Sequence, residues 1–483
     1  MGTDPELRRL ALGTLLAAFP GTAPPDWARR LLADGLAGYT LFGFNVDSAA
    51  QVAAATGALR AERPDVLLAI DEEGGDVTRL AHATGSPYPG NAALGAVDDP
   101  ELTERVHRAI GSDLAAVGIN LNLAPTVDVN TADDNPIIGT RSFGADPALV
   151  SRHAAAAVRG LQAAGVAACA KHFPGHGATL ADSHLELPTV DVSLELLRER
   201  DLPPFTAVIA AGVQSIMSAH IQVPALTGAD PATFSRAALV DLLRGEYGFT
   251  GAVVTDALEM KGAAETAGGI GPAAVRALAA GADLLCIGAD VEEPELVEAV
   301  AAEIAAAVAA GRLDAGRVAE AVGRVAALSA WTRPRVADGP EDGLGYAAAR
   351  RAVRVEGSLV GLGAPLVVQL ESGYTIAEGC VPWGLGPHLD GAEVLRVVPA
   401  EACPDALLRR AGDRPIVVVG RHTHRTPAAR TLVESLAARH RVAVVEMGWP
   451  SPWRPAGASA FLTTYGASLA NGRAAAEVLG LAA

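Results

Sequence analysis

Between Lys171 and His184 the chain reads KHFPGHGATLADSH, which sets an ammonium, three imidazoles and a carboxylate into one short stretch. Folding alone does not ask for that density. His184, with Asp182 two residues before it, can form a pair in which the carboxylate fixes the imidazole tautomer and stabilises the imidazolium. Further on, Asp256 lies in GFTGAVVTDALEM, at the end of a run so apolar that the carboxylate must emerge at its tip. An aspartate in that place also reads as the cap of a following helix. Taken with the Asp182–His184 pair, it supplies a nucleophile beside an acid/base. Such a set suits cleavage of a glycosidic bond with retention, where a carboxylate attacks the sugar carbon and a second group protonates the leaving oxygen. Most enzymes of that kind use two carboxylates. A histidine in the acid/base role is unusual, but a pKa near neutrality serves both half-reactions.

These groups need strands behind them. Val166 to Ala170 are small or apolar and too few for a helix, so they read as a buried strand. Phe173-Pro174-Gly175 must break it, because proline lacks the ladder N–H and glycine opens unusual backbone angles. The polar cluster therefore belongs on a loop at a strand's C-terminal end. The same rhythm recurs in Gly38–Asn45, Val66–Gly75, Ile119–Asn130, Val213–Val223, Gly251–Ala257 and Ala282–Gly288, with helical stretches such as Pro147–Ala164 and Leu194–Ala211 between them. Seven strands alternating with helices over about 330 residues favour a closed TIM-like (β/α)8 barrel, although an eighth strand is not legible. Asp71, Asp128, Lys171, His172, His220 and Asp256 all fall at or just after C-terminal strand ends, where barrels of this kind build active sites.

Leu313–Ser329 reads as a closing helix, and Trp331–Tyr346, rich in Pro, Gly and Asp, as a linker. The short strands Leu366–Leu370, Val394–Val398, Pro415–Val419, Val442–Val445 and Ala460–Thr464, with helices such as Thr426–His440, form a smaller α/β sandwich domain. The expected division is a catalytic barrel at 1–332, a linker at 333–346 and a C-terminal α/β domain at 347–483. His422 and His424 are that domain's clustered imidazoles and read as incidental.

At 483 residues two domains are the natural expectation. A net charge of −17, from 38 Lys and Arg against 55 Asp and Glu, argues against nucleic acid or an anionic membrane surface and for a small or neutral partner. Cys169, Cys286, Cys380 and Cys403 lack metal-ligand spacing and read as packing residues, which fits a reducing compartment. The apolar run Leu10–Phe19 after Arg8-Arg9 imitates a signal peptide, but Asp4 and Glu6 make a poor basic n-region, so a first amphipathic helix is expected there. No run reaches a membrane-spanning length of about twenty apolar residues.

The segments KHFPGHGATLADSH, GAVVTDALEM, AIDEEGG, NLAPTVDVN and GTRSFG resemble glycoside hydrolase family 3, in its bacterial β-N-acetylglucosaminidase branch, and the match runs from about Leu7 to Leu328 in the same order as in the family. The resemblance implies Asp256 as the nucleophile of a covalent glycosyl-enzyme, His184 as acid/base and Asp182 as its orienting partner. It implies Asp71, Arg79, Arg141, Lys171 and His172 as contacts to N-acetylglucosamine, in keeping with carboxylate and imidazole sharing hydroxyl hydrogen bonds and cations donating to sugar oxygens. Read without the family, Arg79 and Arg141 are structural ion pairs, His176 a loop brace, His220 a packing or loop-anchoring group as readily as a substrate contact, and Asp128 a holder of backbone N–H groups or of Arg141. Asp76 departs from the family, which often has a basic residue after EGG.

The expected activity is exo-β-N-acetylglucosaminidase, without metal or organic cofactor. By resemblance the substrate is a small glycan, a muropeptide fragment of peptidoglycan, in a cytoplasmic setting, or a secreted one if the N-terminal run acts as a signal. Three other readings compete. Some relatives with a histidine acid/base transfer the sugar to phosphate, since a neutral imidazole does not repel an incoming anion. A catalytic metal held by His172, His176, His184 and Asp256 lacks the usual short paired-His spacings. A sugar-binding protein without turnover is at odds with the presence of both Asp256 and His184.

Overall fold

A computed structural model of the chain describes residues 4–288, 293–332 and 341–482. The chain divides into two compact units. The first comprises Met1–Glu72, Thr103–Ile138 and Ala145–Glu341, and the second Glu73–Leu102, Gly139–Gly144 and Asp342–Ala483.

The first unit is a parallel barrel of β1 (Leu15–Ala17), β2 (Gly38–Leu41), β3 (Leu67–Ile70), β4 (Leu121–Asn122), β5 (Ala167–Phe173), β6 (Ser215–Ser218), β7 (Ala252–Thr255) and β8 (Leu285–Cys286). Each strand pairs in parallel with its sequence neighbour, β1 pairs with β8, and a parallel bridge from Val254 to Leu284 joins β7 to β8. β2 and β3 approach so closely that a Cβ on Gly38 would stand 1.9 Å from the Leu67 carbonyl oxygen. Only glycine fits there.

Side chains alternate along a strand, and the alternation reads directly into the site. Leu67 and Ala69, Ala167 and Cys169, and Ala252 and Val254 share one buried cluster with Leu16, Leu121, Met217, Leu284 and Cys286. Two residues further along the same faces stand Asp71, Lys171 and Asp256. All three come from odd-numbered strands, and alternate strands supply each layer of a barrel interior. The functional groups thus form the layer above an apolar plug.

The eighth strand lies where a helix was expected. In Leu10–Phe19 the helix is Pro5–Leu12, and Leu15–Ala17 becomes β1, fully buried. Three apolar residues following a helix carry no period of their own, so only barrel closure identifies them. The single helix expected over Leu194–Ala211 is two, Leu194–Arg200 and Pro203–Ala210, because Pro203-Pro204 cannot continue a helix but can begin one.

The second unit holds a six-stranded sheet: β9 (Arg354–Gly357), β10 (Leu366–Leu370), β11 (Val394–Val397), β12 (Ile416–Gly420), β13 (Val442–Glu446) and β14 (Ala460–Thr463), ordered β11-β10-β12-β13-β14-β9. Five strands run parallel, and β9 pairs antiparallel with β14 at the edge. Both faces are covered: Val367, Val417, Val419, Ala443 and Val445 pack in one cluster, and Leu366, Val368, Val418, Val442 and Val444 in another. The exposed β9, RVEG, gave no apolar signal. Of the segment 333–346 read as a linker, 333–340 lie outside the described residues, and a helix, Leu344–Ala352, begins within it.

Candidate active site

Asp71 directly follows β3, whose end is clamped by Asn122: its side chain accepts from the Glu72 N–H (3.0 Å) and donates to the Glu72 carbonyl (2.8 Å). Lys171, on the same inner layer of β5, donates to Asp71 Oδ1 at 2.6 Å. The lysine is buried, whereas Asp71 keeps a solvent-facing edge. A paired ammonium and carboxylate at a barrel mouth offers a donor and an acceptor to a polyhydroxylated ligand.

The next residue, His172, is held from behind. Asp128 Oδ2 accepts from His172 Nδ1 at 2.7 Å, while Oδ1 accepts the backbone N–H groups of His172 (3.3 Å) and His176 (2.6 Å). Burial would push the Asp128 carboxyl up, but the neighbouring imidazoles and N–H groups hold it below the usual range. One buried carboxylate therefore ties the segment after β4 to the loop after β5 and fixes the His172 tautomer. Asp128 is the backbone holder that sequence reasoning allowed for.

Asp256 caps the segment after β7, its Oδ1 accepting the Ala257 N–H at 2.9 Å, and its own N–H donates to the Ser218 carbonyl at 3.2 Å. Against the upward push of burial, the imidazoles of His172, His220 and His184 hold its carboxyl down to about 2. It is ionised throughout the neutral range. His220 is fully buried and anchors this turn, with Nε2 on the Ala257 carbonyl (3.0 Å) and Nδ1 on Thr233 Oγ1 (2.8 Å). Packing and anchoring describe it, and sequence gave no sign of Thr233.

Asp182 and His184 do form a pair. Nδ1 of His184 lies 2.6 Å from Asp182 Oδ1, which also accepts the His184 backbone N–H at 2.9 Å. Burial raises the Asp182 carboxyl, but these two bonds outweigh it and bring it below its ordinary value. Both side chains are partly exposed, as groups that meet a ligand must be. His176, in contrast, is buried and bonds Thr179 and Ser183, which makes it the brace of this loop. Among the described residues no group of three or more His, Cys, Asp or Glu is arranged to hold a metal ion.

Arg79 and Arg141 belong to the second unit. Arg141 forks onto Glu73, Nε to Oε2 at 3.0 Å and Nη2 to Oε1 at 2.8 Å, in a buried bidentate pair. Arg79 donates to the backbone carbonyls of Ala377 (2.7 Å) and Glu378 (3.2 Å). Glu73 was missed, though its place two residues after Asp71 in DEEGG was a visible signal. Asp76, the departure from the family pattern, accepts from Thr140 Oγ1 (2.7 Å) and the Ala467 N–H (2.8 Å) and lies 3.6 Å from Arg421 Nη2.

The model of the Glycosyl hydrolase family 3 N terminal domain matches residues 16–328. Beta-hexosaminidase A of Pseudoalteromonas piscicida is 34% identical over 331 residues, 64% of this chain and 55% of that protein, so the match spans about half of that relative's length. The beta-hexosaminidase of Stenotrophomonas maltophilia (strain K279a) is 39% identical over 280 residues, 56% of this chain and 80% of its own. Among solved structures, a glycoside hydrolase family 3 beta-N-acetylglucosaminidase from Paenibacillus sp. str. FPU-7 superposes with a TM-score of 0.88 at 34% identity, covering 99% of this chain and 97% of that one.

Proposed function

Because the chain belongs to glycosyl hydrolase family 3, we propose that it is a retaining exo-β-N-acetylglucosaminidase that releases terminal β-linked N-acetylglucosamine from a short glycan. The observation that carries this reading is the Asp182–His184 pair on the loop after β5, together with a carboxylate at the tip of β7 held ionised by imidazoles. Asp256 attacks the anomeric carbon and forms the glycosyl-enzyme. Asp182 accepts from Nδ1–H of His184, so the proton that moves is carried on Nε2. That proton goes to the leaving oxygen in the first step, and Nε2 takes one from water in the second. Positioned acid/base catalysis of this sort contributes on the order of 10²- to 10⁴-fold. Lys171 and Asp71 hold sugar hydroxyls in the cleaved subsite, and His172, fixed by Asp128, shares one. Arg79 and Arg141 are proposed as further sugar contacts on the family resemblance alone.

The likeness to named beta-hexosaminidases supports the acetamido sugar as the preferred unit. Muropeptide fragments as substrate and the cytoplasm as setting are the finer part of the same proposal. The deciding experiment follows initial rates on p-nitrophenyl β-N-acetylglucosaminide and the β-glucoside, with and without phosphate, and identifies the sugar released. Free β-N-acetylglucosamine as first product, regardless of phosphate, is expected. A sugar 1-phosphate moves the protein to the phosphorylases, and absence of turnover on both sugars overturns the enzymatic reading.

A further inference from the structure

The loop that carries the acid/base pair is half-buried to exposed along most of its length. Leu180 and Leu185, on either side of the pair, are 75% and 60% exposed, and across residues 180–187 Ser183 is, with Pro188 following, the one residue buried before that proline. It stands between Asp182 and His184. We propose that Ser183 is the positioning residue of this loop: its hydroxyl, bound by His176, determines where Asp182 and His184 stand. The proposal rests on His184 being the acid/base.

The hydrogen-bond pattern around His176 assigns its tautomer. Thr179 Oγ1 donates to the His176 carbonyl at 3.0 Å, so its oxygen accepts from Nδ1–H at 2.8 Å. Nε2 is then the lone-pair nitrogen, and the Ser183 hydroxyl 3.1 Å away donates to it. Burial lowers the His176 pKa to about 4, which keeps that lone pair available at neutral pH.

His176 is itself immovable. Its N–H goes to Asp128 at 2.6 Å and its carbonyl accepts from Asn135 Nδ2 at 2.9 Å. Next to it, the Gly177 carbonyl accepts the N–H groups of Thr131 (3.1 Å) and Ala132 (3.2 Å). From the opposite side, the Gly262 N–H donates to the Ser183 carbonyl at 3.3 Å, on the segment that follows Asp256. Ser183 is therefore gripped by its hydroxyl from the frame that sets His172 and by its carbonyl from the segment that sets Asp256. Between these two grips the dyad has one buried, pinned residue flanked by half-buried ones. Without the pin, what holds the pair is local, the Asp182 carbonyl accepting the N–H groups of Leu185 and Glu186, and segments with few buried contacts open at low free energy.

The test uses Ser183→Ala in the full chain, beside His184→Ala. Displacing a catalytic group by about 1 Å can cost on the order of 100-fold. For an N-acetylglucosaminyl disaccharide, whose leaving oxygen needs a proton, kcat/KM is expected to fall roughly 10- to 100-fold. For the 2,4-dinitrophenyl glycoside, which leaves without one, kcat/KM stays within about 2-fold of wild type. Azide, a nucleophile that needs no general base, should restore kcat on that second substrate and give the β-glycosyl azide. A merely structural role lowers both substrates alike and shows no azide rescue. His176→Phe, which keeps the backbone bonds but removes the acceptor, should reproduce the leaving-group dependence, and the double variant should lose no more than the worse single one. Wild-type behaviour of Ser183→Ala with a crippled His184→Ala overturns the pin and leaves the acid/base standing. Equal small losses in His184→Ala on both leaving groups overturn the acid/base assignment itself.

Discussion

Asp128 is the side chain on which most of the site's frame converges, so its removal should be felt far beyond one contact. It is completely buried and accepts three donors: Nδ1–H of His172 and the backbone N–H groups of His172 and His176. Asp128→Ala leaves all three without a partner. At about 1–3 kcal/mol for each stranded buried donor, offset by whatever water enters the cavity, a loss of roughly 3–5 kcal/mol is expected. For a unit of this size that corresponds to a thermal midpoint lowered by roughly 5–8 °C. Asp128→Asn keeps the shape and one acceptor oxygen but turns an amide toward Nδ1, forcing the other imidazole tautomer. It should cost about 1.5–3 kcal/mol, the value of a charge-assisted bond, and reduce kcat/KM by more than its stability loss explains. The pH sign follows from the depressed carboxyl: the stabilisation is present above the unfolded value of about 3.9 and is lost as pH falls below it, so wild type and Asp128→Asn should converge in thermal midpoint toward pH 2 to 3. Differential scanning calorimetry at pH 7 and pH 3 makes the measurement. An Asp128→Ala variant within 1 °C of wild type at pH 7 refutes the reasoning.

Other outcomes follow from the same geometry. Asp256→Ala should show no turnover above background on any β-glycoside, while its binding of a substrate by calorimetry persists, because the carboxylate supplies the bond-making step. Asp201 is buried beside Arg200, and burial pushes its carboxyl up to about 6. A raised carboxyl destabilises the fold once pH exceeds the unfolded value, so the thermal midpoint of Asp201→Asn minus that of wild type should grow between pH 4 and pH 7; an unchanged difference contradicts the burial argument. A Cβ on Gly177 would stand 2.0 Å from the Val129 carbonyl oxygen, so Gly177→Ala must displace the loop after β5 and should lower kcat/KM at least 10-fold while far-ultraviolet circular dichroism stays that of the wild type.

What the sequence determined by itself was local. The runs VLLAI, VAACA and AVV are apolar throughout, which marks them as buried strands and places Asp71, Lys171 and Asp256 at or just beyond their C-terminal ends without any structure. Asp182 and His184 needed only two residues of chain to meet, and the Pro/Gly punctuation after Phe173 already required a loop to carry them. Tertiary structure decided the rest. β1 was illegible because Leu15–Ala17 are only three residues and borrow their identity from β2 and β8 on either side. Leu194–Ala211 was read through a Pro-Pro pair that starts a new helix, a signal present in the sequence but outweighed there by apolar spacing. The pairs that hold the site, Lys171 with Asp71 and His172 with Asp128, join residues 100 and 44 positions apart. Strand period says which way such side chains face, but strand register and barrel closure decide which of them come within hydrogen-bonding distance, and those are properties of the whole sheet.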